Sequence, residues 1–489
     1  MFRQLITFML LALCWTAIVT AQEAPSTAPP ESEQQTAPLD TDEPTPPIAP
    51  KTQAIPLPPA VELPPPPTPS EIPSAPLTAD EAARIALRLQ PDVTVAGAGI
   101  TAAQGRTQQT RAGLRPTLGV GTSYTRSERI SGSGSSGSVN DGVNGTTSGS
   151  SSGVRASATV QQLLFDFNRT RDLVRQAVAQ ERAAGANLTR VQADLVLQVK
   201  QAFYTYVQNV RLVGVNETNL RNRQEQLALA QARLNAGLGL PADVVRAQTA
   251  VAEAVFNLDL ARNNASTSRV NLALLMGIDP RTPLQAADSG EPAVTTDNVN
   301  ALVDSALAQR PEVLQAQATL QAAGFGLNAA KNTNAPSLSA NVGVTARGNK
   351  LLPRNSSLNA GVVLQWSPFD GGLTAGRVRE ARADVTTAQA QLNDVRLNVV
   401  SDVSQAYLNL RTAEQRVVTA EAQIVNAEES VRLAQGRYRA GLGTFIDVID
   451  AQAALLTART NRVNALSAVD QARAALARAI GAPIPAPAQ

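Results

Sequence analysis

The stretch QARLNAGLGLPADVVRAQTA, residues 231–250, returns as QGRYRAGLGTFIDVIDAQAA at residues 435–454. Extended to residues 231–280 and 435–484, the two stretches align without a gap at an offset of 204 positions, and roughly 18 of 50 residues are identical. Self-similarity at a fixed offset indicates a duplicated architecture. The sequence therefore predicts two copies of one structural unit.

The repeat continues upstream of these stretches. Phe165-Asp166 recurs as Phe369-Asp370 at the same offset, and farther upstream Pro116 pairs with Pro336 at an offset of 220. The difference between the two offsets falls in the Ser/Gly-rich residues 132–153, which are predicted to be a loop of variable length. The chain divides into a first repeat (77–280), a joint (281–300), a second repeat (301–480) and a short tail (481–489), and each repeat is predicted to start with one helix before its first strand.

Two very long helices are predicted, one in each repeat. Apolar residues recur at three- and four-residue steps over residues 167–235, without a proline, and again over residues 376–439. At 1.5 Å per residue each helix is on the order of 100 Å long. Both reach an Ala-Gly-Leu-Gly turn and reverse into return helices over 241–276 and 445–480. Helices of this length are typical of coiled coils or helical tubes.

The apolar period changes to two on either side of the Ser/Gly loop, which predicts β-hairpins at 116–164 and 336–366. In the second copy Leu338, Val342 and Val344 lie on one face, while the alternate residues are small or polar. Stretches of about ten residues with one apolar face are typical of membrane strands. A soluble hairpin at the end of a helical stalk would alternate in the same way.

The number of strands bears on the assembly. Four strands cannot enclose a lumen, since the smallest membrane barrels use about eight, and an open sheet leaves unpaired edges in lipid. Several chains must therefore share one barrel, and three chains, with twelve strands, leave room for a pore. We expect an α+β membrane protein made mostly of long helices in an α-helical barrel, with four strands per chain.

Residues 1–21 resemble a secretory signal peptide, with Arg3 before an apolar stretch and small residues before Gln22. Residues 22–76 are rich in proline and are expected to form a disordered tether. The only cysteine, Cys14, lies in the signal segment, so cleavage after Ala21 would leave a mature chain without thiols. Lipidation of Cys14 is the alternative.

Composition excludes several classes of function. The chain has no histidine, which removes the commonest general base and metal ligand. Lys and Arg total 42 against 40 Asp and Glu, which gives no sign of nucleic-acid binding. We therefore expect no enzyme activity, no catalytic residue, no metal and no cofactor. An enzyme that uses paired carboxylates, such as a glycoside hydrolase, is disfavoured because no globular domain is predicted.

From Leu77 to Ile480 the order of elements, the Phe-Asp junctions and the paired Gly-Leu-Gly turns resemble the TolC family of outer-membrane efflux and secretion channels. The resemblance implies a homotrimer in outer-membrane lipid, with a twelve-stranded barrel continued by a twelve-helix periplasmic tunnel. It also implies a periplasmic adaptor and an inner-membrane pump of RND or ABC type as partners.

The same resemblance assigns roles to the repeated turns. The adaptor would dock at two turns, which comprise Ala236, Gly237 and Leu238 in the first copy and Ala440, Gly441 and Leu442 in the second. The alternative is that the glycines only close a helix–helix turn that needs a positive φ. That alternative does not explain a leucine placed identically in both copies.

The resemblance further implies a periplasmic aperture ringed by Asp447 and Asp450, which an i,i+3 spacing places on one helix face. Such rings attract cations; the alternative is that acidic residues merely favour a helix's first turn. Tyr438 matches a tyrosine that holds the family's aperture closed, and Asp243 is the first-copy counterpart of Asp447. The family's basic partner is replaced by Gly443, and the candidates for its role are Arg246, Arg437 and Arg439.

These features together predict a passive, gated exit duct for multidrug efflux or type I secretion. The rival is a structural coiled coil of the cell envelope that does not conduct.

Overall fold

Eight helices and four strands occur in the part of the chain that a computed structural model describes, residues 76–127, 151–287, 290–291, 298–348 and 355–485. In chain order they are α1 (Ala79–Leu89), α2 (Pro91–Ala112), β1 (Thr117–Ser127), β2 (Ser151–Phe165), α3 (Arg169–Asn235), α4 (Pro241–Leu275), α5 (Val299–Gln309), α6 (Pro311–Lys331), β3 (Ser337–Gly348), β4 (Asn355–Gln365), α7 (Leu373–Arg439) and α8 (Phe445–Ala479). The signal peptide, Cys14, nearly all of the tether, most of the Ser/Gly loop, much of the joint and the end of the tail lie outside the described residues.

The two halves contain the same elements in the same order. Helices α7 and α8 begin and end 204 positions after α3 and α4, and α5 lies 220 positions after α1. The long helices have 67 residues each and the return helices 35 each. Among the described residues, no helix combines the length and the apolar character needed to cross a lipid bilayer.

Each half starts with two short helices, where the sequence predicts one. The break falls before Pro91 in the first half and before Pro311 in the second. A residue that precedes proline is pushed out of the helical region by the proline ring. Accordingly Gln90 (φ −72°, ψ 125°) and Arg310 (φ −64°, ψ 131°) are extended, and each proline opens the next helix.

The Phe-Asp junctions fix where the long helices begin. Asp166 accepts a hydrogen bond from the Thr170 amide (2.7 Å), and Asp370 accepts one from the Thr374 amide (2.8 Å). A carboxylate at a helix amino end satisfies free amides and interacts favourably with the helix dipole. Helix α3 therefore begins two residues after the predicted start at 167, and α7 begins three residues before the predicted start at 376.

The four strands form one antiparallel sheet in the order β1-β2-β3-β4. Paired residues of neighbouring strands point to the same face. One cross-strand row comprises Leu118, Val160, Val342 and Ala360, and the next comprises Val120, Ala158, Val344 and Leu358. The apolar positions predicted separately for each strand thus form one continuous face, and β1 and β4 are the two edges of the sheet.

The helices pack as two antiparallel hairpins, α3 with α4 and α7 with α8, and small side chains fill their seams. The buried alanines include Ala230, Ala247, Ala254, Ala413, Ala420 and Ala427. The larger cores lie near mid-length. One joins α1, α3 and α4 around Phe203, Leu272 and Met276, and the other joins α5, α7 and α8 around Val403 and Leu476. The short helices therefore brace the hairpins at a level that we call the collar, and the hairpin turns, which we call the tips, lie at the far end.

Candidate aperture and docking site

Both hairpin turns have the same backbone geometry. Gly237 has φ 72° and Gly441 has φ 75°. The amide of Leu238 donates to the Arg233 carbonyl (2.9 Å), and the amide of Leu442 donates to the Arg437 carbonyl (2.8 Å). A left-handed glycine followed by this hydrogen bond is a Schellman motif, which satisfies carbonyls at a helix's carboxyl end. The glycines are therefore required by the turn itself, as the alternative interpretation of the sequence states.

The leucines of these turns are not required by the turn. Leu238 is 72% exposed and Leu442 is 75% exposed, while Ala236 and Ala440 cap the preceding helices. A Schellman turn often buries an apolar side chain at this position against the helix. Here both leucines project outward at equivalent positions, which makes two matched apolar points at the hairpin ends.

Tyr438 joins the two tips of the chain. Its buried ring packs beside Phe445, with 5.4 Å between the ring centroids, and its hydroxyl donates to Asp243 Oδ2 at 3.4 Å. Burial, together with the negative charge of Asp243, raises the pKa of Tyr438, so the hydroxyl stays protonated and able to donate. Residues 438 and 243, predicted to act at the aperture, thus lie in one contact across the two hairpins.

Arg233 completes this contact. Its guanidinium lies over the Tyr438 ring, with Cζ 4.7 Å from the centroid, and Nη1 donates to the carbonyls of Tyr438 (2.9 Å) and Arg439 (3.2 Å). A cation at a helix's carboxyl end is favourable because the free carbonyls there carry partial negative charge. We call the contact among Arg233, Tyr438 and Asp243 the tip clip.

The basic residue that contacts the Tyr438 ring is Arg233, and not one of the three arginines predicted for this role. Arg246 lies 3.9 Å from Asp243 on the same helix, Arg437 is exposed, and Arg439 contributes its carbonyl to the clip. Sequence reasoning missed Arg233, although a signal was present: Arg233 and Arg437 occupy the same position in the two copies.

Asp447 and Asp450 are both exposed near the start of α8. Asp447 Oδ2 accepts the Thr444 amide (2.9 Å), while the Thr444 hydroxyl accepts the Asp447 amide (3.3 Å). This reciprocal pair is a capping box. The hydrogen bond that the Thr444 amide donates to the Asp447 carboxylate, and after it one from the Thr444 side chain, lower the pKa of Asp447. Asp447 therefore caps its own helix, and its charge remains at the tip.

A second polar cluster, at the collar, was not predicted. The buried Glu291 of the joint accepts hydrogen bonds from Lys200 Nζ (2.5 Å) and the Tyr204 hydroxyl (2.6 Å), and Lys200 also pairs with Asp80 (2.8 Å). Burial acts to lower the pKa of Lys200, but the hydrogen bonds and charges of Asp80 and Glu291 outweigh it and leave the pKa raised. Nearby, Arg478 pairs with Asp194 and Glu312.

A sheet with one apolar face, continued by two helices about 100 Å long that each reverse at a matched turn into a shorter return helix, is the architecture of an outer-membrane channel protein with a helical periplasmic tunnel. The chain belongs to the outer membrane efflux protein family, whose model matches residues 82–278 and 302–482, and thus to the TolC-type outer-membrane factors predicted from the sequence. It is an outer-membrane efflux channel and not an enzyme.

Individual relatives agree with this assignment. The chain is 25% identical to the outer membrane efflux protein BepC of Brucella suis over 331 residues, which is 66% of this chain and 71% of BepC. It is 25% identical to the outer membrane protein TolC of Escherichia coli over 394 residues, or 77% of this chain and 76% of TolC. The outer membrane protein VceC of Vibrio cholerae shares the fold, with a TM-score of 0.69 and 23% identity over 82% of this chain and 96% of VceC.

Proposed function

We propose that three copies of this chain form a gated tunnel, through which an inner-membrane pump of RND or ABC type exports its substrates by way of a periplasmic adaptor. The tunnel is passive and carries out no chemistry. The strands of the three chains share one twelve-stranded barrel, the hairpins form the twelve-helix tunnel, and the tips form its periplasmic aperture.

The observation that carries this proposal is the match between a buried seam inside the protomer and an exposed one. Within the protomer α3 packs on α8. Gln208 donates to Asn464 (2.8 Å), and the Ser467 hydroxyl donates to the Tyr204 carbonyl (3.2 Å). The seam is stabilised by direct hydrogen bonds and close packing.

The positions equivalent to this seam lie on α7 and α4, at an offset of 204. They are exposed, and they include Leu408, Thr412, Leu260 and Asn263. Leu408 is 62% and Leu260 is 49% exposed, and further exposed apolar residues extend the same two helices: Val425 and Leu433 on α7, and Val245, Phe256 and Leu274 on α4. Exposed apolar area of this extent marks an interaction surface.

If α7 packs on α4 of the next copy as α3 packs on α8, each copy adds two hairpins to a ring. A head-to-tail interface of this kind closes when its rotation fits a whole number of copies. The sheet supports the same arrangement, because β1 and β4 are unpaired edges that lipid cannot satisfy and β4 of one chain can pair with β1 of the next. Three copies supply twelve strands, enough for a lumen.

At the far end, the ring brings six tips together. Asp447 and Asp450 of the three chains would then surround the aperture, and rings of carboxylates favour cations. The tip clips hold the ends of neighbouring helices together, so they resist opening. The side chains of Leu238 and Leu442 project outward and offer the apolar points at which adaptor hairpins dock.

The test is single-channel conductance in planar bilayers, for the wild type and for the Asp447→Asn/Asp450→Asn double variant. We expect small cation-selective currents from the wild type and a loss of cation selectivity in the variant. Asp279→Asn, which removes an exposed carboxylate just before the joint and far from the tips, serves as the matched control and should leave selectivity unchanged.

A closed aperture could suppress the current in the wild type and in the double variant. Arg233→Ala is therefore added to each of them to release the tip clip. Folded trimers that carry no current even with Arg233→Ala would overturn the proposal in favour of a structural coiled coil. Unchanged cation selectivity in the double variant would mean that Asp447 and Asp450 do not line the aperture.

A further inference from the structure

The two faces of the four-stranded sheet differ in charge as well as in hydropathy. Val160 on β2 and Val344 on β3 belong to the apolar face. Successive side chains of a strand point to alternate faces. Arg155 and Arg347 lie an odd number of positions from these valines in the same strands, so both belong to the other face. The register pairs Arg155 directly with Arg347, and two cations therefore lie side by side on the polar face.

This arginine pair belongs to one row that crosses all four strands. Ser123 on β1 pairs with Arg155, and Asn355 on β4 pairs with Arg347. Both arginines are exposed. Within the bounds of the four strands the sequence contains no aspartate or glutamate. The strands therefore supply no carboxylate that would neutralise the pair.

The charge is confined to one end of the sheet. Arg155 is only the fifth residue of β2 after the Ser/Gly loop, and Arg347 is followed by a single residue of β3. Both arginines thus lie far from the helices. Within the four strands the rest of the polar face is uncharged, and it includes Ser157, Thr159, Thr345, Ser357 and Asn359.

Two arginines directly opposite each other are an unfavourable pair in the protein alone. Opposite residues of antiparallel strands have Cα atoms about 4.5–5.5 Å apart, and like charges at such positions destabilise a sheet. The same arrangement suits an anion, because planar guanidinium groups donate pairs of hydrogen bonds to carboxylate and phosphate oxygens. A pair that weakens the sheet and becomes favourable with an anion bound indicates a binding site.

We infer that Arg155 and Arg347 line the lumen of the barrel at its outer end and bind the carboxylate or phosphate groups of molecules that leave through it. The inference rests on the trimeric channel proposed above, and it names anionic molecules as a substrate class of that channel. In such a barrel the apolar face meets lipid and the polar face meets the lumen. Each copy then contributes one arginine pair, separated from the next pair by uncharged strands.

The arginine row differs from the tips in what it acts on. Asp447 and Asp450 lie at the narrowest point, the aperture, and the charge there sets the selectivity for small ions. The arginine pairs lie in the wider barrel and act on multivalent anions, which can accept hydrogen bonds from two guanidinium groups at once. A multivalent anion bound in the row should therefore obstruct the lumen without reversing its cation selectivity.

Block of the current by inorganic pyrophosphate tests the site. Single-channel currents are recorded in planar bilayers from trimers that carry Arg233→Ala, with pyrophosphate added on the barrel side. We expect a blocking concentration that rises with ionic strength, because salt screens the arginines. Adding Arg155→Gln/Arg347→Gln should raise the blocking concentration at least about tenfold, since charge-assisted hydrogen bonds are lost.

Arg126→Gln is the matched control, because it removes a cation from the same end of the sheet but from the apolar face. Unchanged block in the double variant, in trimers that conduct, would overturn the inference and leave the channel standing. An equal loss of block in Arg126→Gln would place the anion at the lipid-facing surface and would also overturn it. No current from any of these proteins would overturn the channel itself, and with it the lumen in which the arginines are placed.

A charge exchange tests whether the pair serves a ligand or the sheet. Arg347→Glu replaces the like-charge pair by an opposite-charge pair with Arg155, which favours the sheet. We expect this variant to lose the pyrophosphate block, as the double variant does, and to unfold at a higher temperature than the wild-type trimer. A lower unfolding temperature with the block retained would mean that Arg347 stabilises the sheet and binds no anion.

Discussion

The collar and the tips are parts of the same four helices, yet they are held together very differently. At the collar, the buried cations Lys200 and Arg310 form ion pairs between elements. Lys200 pairs with the buried Glu291 and with Asp80, and Arg310 pairs with Asp402. At the tips a small apolar cluster around Tyr438, Phe445 and Val448 joins the hairpins together with the tip clip, whose hydrogen bond to the carboxylate is 3.4 Å long. Asp447 and Asp450 are exposed there.

This difference indicates that the collar supports the structure and that the tips move. Local opening is easiest where few buried contacts and many exposed backbone groups occur, and hardest where the core is dense. We therefore expect the collar to act as a fixed base from which the hairpin ends move. Substitutions at the collar should change the stability of the protein, whereas substitutions at the tips should change conductance.

The largest expected effect is that of Glu291→Ala. The change leaves the Tyr204 hydroxyl buried without its acceptor and removes the shorter of two ion pairs from Lys200. Removing one partner of a buried charged network typically costs about 3 kcal/mol of unfolding free energy. The measurement is urea unfolding in detergent, followed by circular dichroism.

Asp80→Ala is the matched control, because Asp80 binds the same ammonium group but its side chain is 47% exposed. An exposed ion pair is worth about 1 kcal/mol or less. Equal losses from the two variants would mean that burial does not distinguish the collar, and the contrast with the tips would fail.

An intermediate effect is expected from Arg233→Ala, and it should appear at the aperture. The variant loses two charge-assisted hydrogen bonds to helix carbonyls and one cation–π contact, which together stabilise the closed tip by about 2 kcal/mol. We expect open-channel current to increase by at least about tenfold, while the urea midpoint stays close to that of the wild type.

Arg233→Lys should fall between the wild type and Arg233→Ala, since lysine keeps the charge but not the planar fork. Arg432→Ala, which removes an exposed ion pair on α7, should leave the current unchanged. A large drop in the stability of Arg233→Ala, with no change in current, would instead make the tip part of the structural support.

The sequence predicts the long helices, the strands and the turns because each depends on neighbouring residues. A 3.6-residue apolar period and a glycine with positive φ are local requirements, and the bounds of α3 and α7 fall within three residues of those predicted. The break between α1 and α2 at Pro91 is also predictable from the sequence, because the residue before a proline avoids the helical region.

Contacts between residues far apart in the sequence could not be predicted from local patterns. The clip joins Arg233 to Tyr438 through a packing arrangement that no local pattern encodes. The Glu291 network places a carboxylate of the joint against α3, and a lone glutamate in a loop gives no sign of burial. The alignment of the two repeats, in which Arg233 corresponds to Arg437, is the one feature of the sequence that points to Arg233 in the tip clip.

The smallest effect is expected from the capping box of α8, and it sharpens the contrast at the tip. Hydrogen bonds from Thr444 lower the pKa of Asp447 below its ordinary 3.8, so they stabilise the ionised form. For a carboxyl group whose pKa is lowered on folding, this stabilisation is present above the unfolded pKa and is lost as pH falls through the folded pKa. Cation selectivity supplied by Asp447 should therefore be the same at pH 7 and pH 5 and should fall only below about pH 4.

Thr444→Ala removes the side-chain hydrogen bond that helps to lower the pKa of Asp447, while the larger contribution, from the amide of residue 444, remains. The loss of selectivity should therefore move slightly to a higher pH. Thr457→Ala, which removes a hydroxyl that donates to the Ala453 carbonyl within α8, is the control. Selectivity recorded as a function of pH distinguishes the two. If Thr444→Ala leaves the profile in place, the charge that selects cations belongs to Asp450, and Asp447 serves the helix alone.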